Sequence, residues 1–128
     1  LKSLQKQLAD AGLTALAAFI VHPISSPDEQ HRRQAVAQWQ KSIDAAAHLG
    51  LKLVTTELTG ELARPKESEA AFRKSMDVLL PRFEGTGICL SVEPHPGDFY
   101  EAAQPTLALL RSYGSKRLQK LLGKQLVN

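Results

Sequence analysis

The chain of 128 residues contains one cysteine, one tryptophan, one methionine and only 5% aromatic residues. A single cysteine, Cys89, excludes an internal disulfide and any metal centre built on thiolates. Cys89 lies in the apolar stretch "GICLSV", where the habits of free cysteine predict a buried, inert thiol. Sparse cysteine fits a reducing compartment, so a cytoplasmic location is expected. No apolar run approaches the ~20 residues that a membrane span needs, and "LTALAAFIV" is only strand length. The chain opens on Leu1, and "LKSLQKQLADAG" patterns as an amphipathic helix rather than a leader. That start is expected in a chain processed, trimmed or drawn from a longer protein.

Several active-site signatures are also missing. The sequence has no GxxxxGK[ST] loop, no GxGxxG turn, no GxSxG elbow and no HExxH helix. The "GTG" at 85–87 comes before a strand, the wrong context for a phosphate-binding turn. Strong charge is lacking as well. The net charge is +3, and between 115 and 128 the four basic residues Lys116, Arg117, Lys120 and Lys124 stand without an acid. The rest of the chain is close to neutral. With no aromatic residue in that tail, it reads as a solvated helical face rather than a nucleic-acid surface.

What is present is a repeating order. Apolar residues at 43% suffice for one α/β domain over residues 1–128. Four junctions, "LADAG-LTALAAFIV", "AAAHLG-LKLVTTEL", "EGTG-ICLSVE" and "LLRSYG-SKRLQ", each close a helical pattern with glycine (Gly12, Gly50, Gly87, Gly114). Three of the four segments that follow are strand-like; the fourth is not. Val36, Trp39, Ile43 and Ala47 form one apolar stripe, and Phe72, Met76, Leu79 and Phe83 a second. Pro27, Asp28 and Glu29 favour a helix start, and Pro81 should bend or loosen the end of the next helix. Strands alternating with long helices imply parallel pairing. An open doubly wound sheet and a partial (β/α)₈ barrel both fit, and in both the function gathers at the carboxyl ends of the strands.

The polar residues obey that rule. His22 follows "AAFIV", Glu57 follows "LVTT", and Glu93 follows "LSV". A carboxylate leaving an apolar strand is costly unless it is paired or metal-bound, and Pro94 stiffens the exit in an extended conformation. In "SVEPHPGDF", His95 is a candidate metal ligand, proton shuttle or substrate contact, and Asp98 reads as the residue ordering the turn after Gly97. His31 and His48 lie on helices and read as surface or packing residues. Carboxylate and imidazole at strand ends suit Mg²⁺, Mn²⁺ or Zn²⁺.

The order "AAAHLGLKLVTTELTG", "AAFRKSMDVLLPRFEGTGICLSVEPHPGDF" and "PTLALLRSYGS" resembles the sugar phosphate isomerase/epimerase family with a xylose isomerase-like TIM barrel, over about residues 1–115. The resemblance implies a divalent metal held by acidic and histidine side chains from several strand ends. It further implies isomerisation or epimerisation of a sugar or sugar phosphate by proton transfer beside a carbonyl. In that pattern the glutamate matching Glu93 is a metal ligand, and Glu57 matches a position near the substrate, where it is the candidate base. From their own places after the first and third strands, rather than from the family pattern, His22 and His95 are the candidate substrate contacts. Endonuclease IV-type DNA repair enzymes resemble the same superfamily but bind several metals through many histidines; four histidines, two of them on helices, argue against that relation.

The pattern departs after Gly114, where a further strand should lead to an acidic ligand and then a histidine. Residues 115–128 contain no Asp, Glu, His or Cys and read as a basic amphipathic helix with Leu118, Leu121, Leu122 and Leu126 on one side. A full barrel takes ~250 residues, so the chain resembles about the first half of one. The metal site is then short of ligands. The exposed sheet edges are expected to be covered by that helix or by association of two chains. The competing reading is a non-catalytic α/β fragment that folds by self-association and binds no metal.

Overall fold

The computed structural model describes residues 1–118. Along them run α1 (Lys2–Asp10), β1 (Ala17–Phe19), α2 (Glu29–His48), β2 (Leu53–Glu57), α3 (Pro65–Thr86), β3 (Cys89–Glu93) and α4 (Ala103–Arg111). The strands form one parallel sheet in the order β1-β2-β3. Ala17 pairs with Leu53 and Leu53 with Cys89, 36 residues apart in each case, so each helical excursion returns the chain to the same level of the sheet.

Local chemistry explains the boundaries. Asp28 caps α2 by accepting the His31 N–H at 2.8 Å. At the other end Gly50 takes a left-handed φ of 74°, and Leu51 N–H reaches back to the Ala46 carbonyl at 2.9 Å. This closing motif brings the apolar residue beyond the glycine against the last inward-facing helical residue. The stripe of α2 therefore runs Val36, Trp39, Ile43, Ala46; Ala46 is buried, and the expected Ala47 is exposed. In α3 the stripe Phe72, Met76, Leu79, Phe83 is buried as expected. Pro81 does not end that helix, which continues to Thr86. Its missing N–H falls on the exposed side, where the Asp77 carbonyl can turn to water.

The core lies between one face of the sheet and the helices. Val54, Leu90 and Val92 from the strands meet Trp39, Ile43, Phe72, Met76, Leu79 and Phe83. The other face is open along β1 and β2, while on β3 Ser91 of that face is buried. Along β2 the burial alternates, with Val54 and Thr56 inside and Leu53, Thr55 and Glu57 partly exposed. Cys89 belongs to the open face by its pairing with Leu53. It is half-buried rather than buried, with the Arg117 guanidinium 3.9 Å from its sulfur. The β1 edge exposes Leu13, Leu16, Phe19 and Val21, and Phe19 is 61% exposed. Helix α1 buries none of its residues.

The described residues after Gly114 form no strand. Residues 116–118 are helical and Leu118 is fully buried, while Leu121, Leu122 and Leu126 of the expected tail lie outside the described residues. The fold is thus parallel α/β with one sheet face covered, the arrangement of a partial barrel.

Candidate functional site

Parallel register puts the two strand-end carboxylates side by side. Glu57 and Glu93 are the last paired residues of β2 and β3 and lie directly opposite each other. Neighbouring strands are ~4.8 Å apart, so the two acids share one rim of the open face. Beneath them, in order, lie the pairs Thr55–Ser91 and Leu53–Cys89. That face grades from apolar through hydroxyl to carboxylate toward the strands' carboxyl ends. Among the described residues neither carboxylate has a hydrogen-bond or ion-pair partner on its side chain. Two like charges at that spacing repel by on the order of 1 kcal/mol in a water-like medium.

The rim is laced together behind the acids. Ser25, after β1, donates its hydroxyl to the Leu58 carbonyl at 2.5 Å. Asp98, after β3, accepts the Leu58 N–H at 3.1 Å and the His95 N–H at 3.0 Å on one oxygen. Phe99 N–H donates to the Thr59 carbonyl at 3.1 Å. Thr59 itself has a left-handed φ of 62°, uncommon for a residue with a Cβ, and is followed by Gly60. Asp98 is 5% exposed. Burial raises its pKa above the ordinary carboxylate value, against the backbone N–H groups of His95, Leu58 and Thr59, while the charge of nearby Glu57 adds to the rise. Asp98 does order the turn, and it also ties two strand exits together, which local sequence does not reveal.

The two histidines go different ways. His95 is exposed on the loop after β3, and its Nδ1 lies 3.0 Å from the Pro96 carbonyl. A carbonyl only accepts, so that contact puts a proton on Nδ1, and in the neutral ring the lone pair is then on Nε2. His22 turns to the helical layer. Its Nε2 lies 3.1 Å from the Ser42 hydroxyl of α2, its ring stands edge-on to Trp39 at 5.7 Å, and its carbonyl accepts the Trp39 indole N–H. Burial lowers its pKa. It lines an open cavity of ≈ 490 Å³ with His31, Gln34 and Gln38. The structure brings Glu57 and Glu93 together, places His95 on the adjoining loop, and seats the His22 ring on α2.

A divalent ion fits the donors at the rim in part. Both acids are oxygen donors, which suit Mg²⁺ or Mn²⁺ held by one or two carboxylates and completed by water or substrate. Ser91, which pleat alternation puts on the same face two residues before Glu93, has a buried hydroxyl without a partner among the described residues. Among those residues, no group of three or more His, Cys, Asp or Glu is placed to hold an ion. No helix among them is long and apolar enough to cross a membrane.

Comparison with known proteins meets this geometry. The family model for the xylose isomerase-like TIM barrel matches residues 1–122. A search of curated proteins finds no match. Among solved structures, a xylose isomerase-like TIM barrel protein from Mycobacterium smegmatis in complex with magnesium is similar at 18% identity and a TM-score of 0.65, over 91% of this chain and 43% of that one. A protein from Sinorhizobium meliloti 1021 is similar at 18% identity and a TM-score of 0.70, over 87% and 44%. An L-ribulose 3-epimerase is similar at 23% identity and a TM-score of 0.67, over 91% and 43%. The chain spans less than half the length of each of these structures. With three parallel strands, one covered face and a match over nearly its whole length, the chain belongs to the xylose isomerase-like TIM barrel family.

Proposed function

We propose that the chain carries part of the active site of a sugar isomerase or epimerase that acts beside a carbonyl group with a divalent cation. The observation that carries this reading is the Glu57–Glu93 pair, two rim carboxylates in register with no cationic partner among the described residues. The similar structures of a magnesium complex and of an L-ribulose 3-epimerase support it by analogy. Glu93, on the exposed end of β3, is the side chain that holds the ion. A bound Mg²⁺ or Mn²⁺ supplies polarisation of the substrate's oxygens.

Glu57 removes the proton from the carbon beside the carbonyl, leaving an enediol-like intermediate, and returns it to the former carbonyl carbon, which completes an isomerisation; epimerisation needs a second acid to protonate the first carbon from its opposite face. His95, with Nε2 free to accept, orients a substrate hydroxyl from the adjoining loop. His22 is the second substrate contact in this reading, from the open cavity that it lines with His31, Gln34 and Gln38. The ligand class is a sugar or sugar phosphate rather than nucleic acid, and a cytoplasmic site of action fits the single free thiol. Titration of Mn²⁺ into the full chain, followed by calorimetry, tests the assignment. Binding is expected, weakened at least ~10-fold in Glu93→Gln because one charged oxygen donor is lost. Binding indifferent to that substitution, or none at all, refutes it.

A second reading has its own support. The β1 edge is apolar and exposed, and has no strand partner on its outer side among the described residues, which suits a non-catalytic unit that gains stability by self-association. It differs in predicting association without any metal dependence.

A further inference from the structure

The backbone ladder of β2 and β3 stops at Glu57–Glu93. Beyond that pair the two chains would be free to separate, and with them the acids. One side chain occupies the place of the next rung. Asp98 accepts the N–H of Leu58, the residue after Glu57, and the N–H of His95, two residues after Glu93. Its own N–H returns to the His95 carbonyl at 3.0 Å, and Phe99 N–H closes on Thr59 one position further out. No ion pair to Asp98 occurs among the described residues. Its charge is met by backbone dipoles from both strand exits.

We infer that Asp98 is a positioning residue for the candidate site: it sets the separation and direction of the Glu57 and Glu93 carboxylates without touching what they bind. The inference rests on the metal-site reading above and deepens it. A residue that served only to glue a loop would need one partner element. Asp98 engages both of the exits that carry an acid, and it does so from a site 5% exposed, where water cannot substitute for it. A carboxylate suits this place better than an amide. One carboxylate oxygen takes both the Leu58 and His95 N–H groups and the carboxylate remains an acceptor toward the Thr59 N–H as well, whereas an asparagine turns one side into a donor facing a donor.

The test uses the full chain and Asp98→Asn, with Asp98→Ala as the harsher variant. Two quantities are read: Mn²⁺ affinity by calorimetry, and amide hydrogen exchange at Leu58 and His95 against Val54 and Leu90 in the core of the same strands. In Asp98→Asn, Mn²⁺ binding is expected to weaken about 10-fold, within the ~10–100-fold range for residues that orient metal ligands. Exchange at Leu58 and His95 is expected to quicken at least ~10-fold while Val54 and Leu90 hold their rates. If the parent chain binds Mn²⁺ and Asp98→Asn binds it equally well, the inference is overturned. Uniformly faster exchange at all four amides also overturns it, because Asp98 is then ordinary structural glue. If the parent chain binds no Mn²⁺, the metal reading fails and the inference falls with it, an outcome distinct from a parent chain that binds Mn²⁺ and an Asp98→Asn variant that binds it equally well. Should Asp98→Ala not fold, Asp98→Asn decides alone.

Discussion

Gly60 makes a quantitative test of how tightly the rim is built. It follows Thr59 at the exit of β2 with φ of +83°, and a Cβ there would lie 2.7 Å from Cδ1 of Phe99, 2.9 Å from Cβ of Ser68 and 3.0 Å from Oγ of Ser68. Neither neighbour can step aside easily. Phe99 is 2% exposed and Ser68 fully buried, and the Ser68 hydroxyl accepts the Glu61 N–H at 2.9 Å. Gly60→Ala therefore suffers twice. Left-handed backbone costs a Cβ-bearing residue about 1–2 kcal/mol, and forcing a methyl into a packed site costs about 1–3 kcal/mol. The combined loss is about 2–5 kcal/mol.

Gly50→Ala is the internal control. Its φ is +74°, but an added Cβ meets nothing within 4 Å, so only the backbone cost applies. For a chain of this length 1 kcal/mol corresponds to a shift in Tm of about 4 °C. Thermal melts followed by circular dichroism, with urea titrations as a check, should show Gly60→Ala lower by about 8–20 °C and Gly50→Ala by about 4–8 °C. Equal losses in the two variants would refute the reasoning, because the β2 exit would then not be pressed against Phe99 and the loop after β3.

Two further outcomes follow from other parts of the molecule. Burial lowers the pKa of His22, so as pH falls below about 6.5 the unfolded chain takes up the proton first. Stability from this group is present above that value and lost as pH drops through it toward the folded value. The fall in Tm from pH 7.5 to 5.5 should be smaller in His22→Gln than in the parent chain, and equal slopes would remove His22 as the cause. At the β1 edge, the second reading of the chain predicts association at tens of micromolar in sedimentation velocity. Leu16→Lys with Phe19→Lys should return it to monomer, since both side chains are exposed and apolar there; an unchanged profile would exclude that edge as the interface.

Much of the fold was legible because it rests on local signals. The glycines after α1, α2 and α3 adopt the left-handed φ that their positions implied, and the stripe of α3 is buried residue for residue. Parallel pairing followed from the lengths of the intervening helices, and the rim position of Glu57 and Glu93 followed from counting along two strands of equal pattern. The misses are tertiary. A spacing of 3.6 allows either Ala46 or Ala47 to complete the stripe of α2, and only the return of Leu51 to the Ala46 carbonyl decides between them. Cys89 looked buried because its neighbours are apolar, yet pleat direction sends it to the open face. The packing of the His22 ring against the Ser42 hydroxyl and the Trp39 ring of α2 is set by tertiary contacts that local sequence does not announce. The reach of Asp98 to Leu58 spans 40 residues, a distance at which no spacing rule operates.

The equal 36-residue offset between paired strands also bears on how the chain acquires its structure. Among the described residues there is no hairpin to zip from a turn. Each strand pair must close a loop of that length before its first backbone hydrogen bond rewards it, an entropic toll of about 3 kcal/mol from the length-dependent term alone. Folding should then wait on α2 and α3 meeting through Trp39, Ile43, Met76 and Phe83, with the sheet condensing onto a helix pair already in place. The rim carboxylates, at the far end of that sheet, would be among the last groups to find one another.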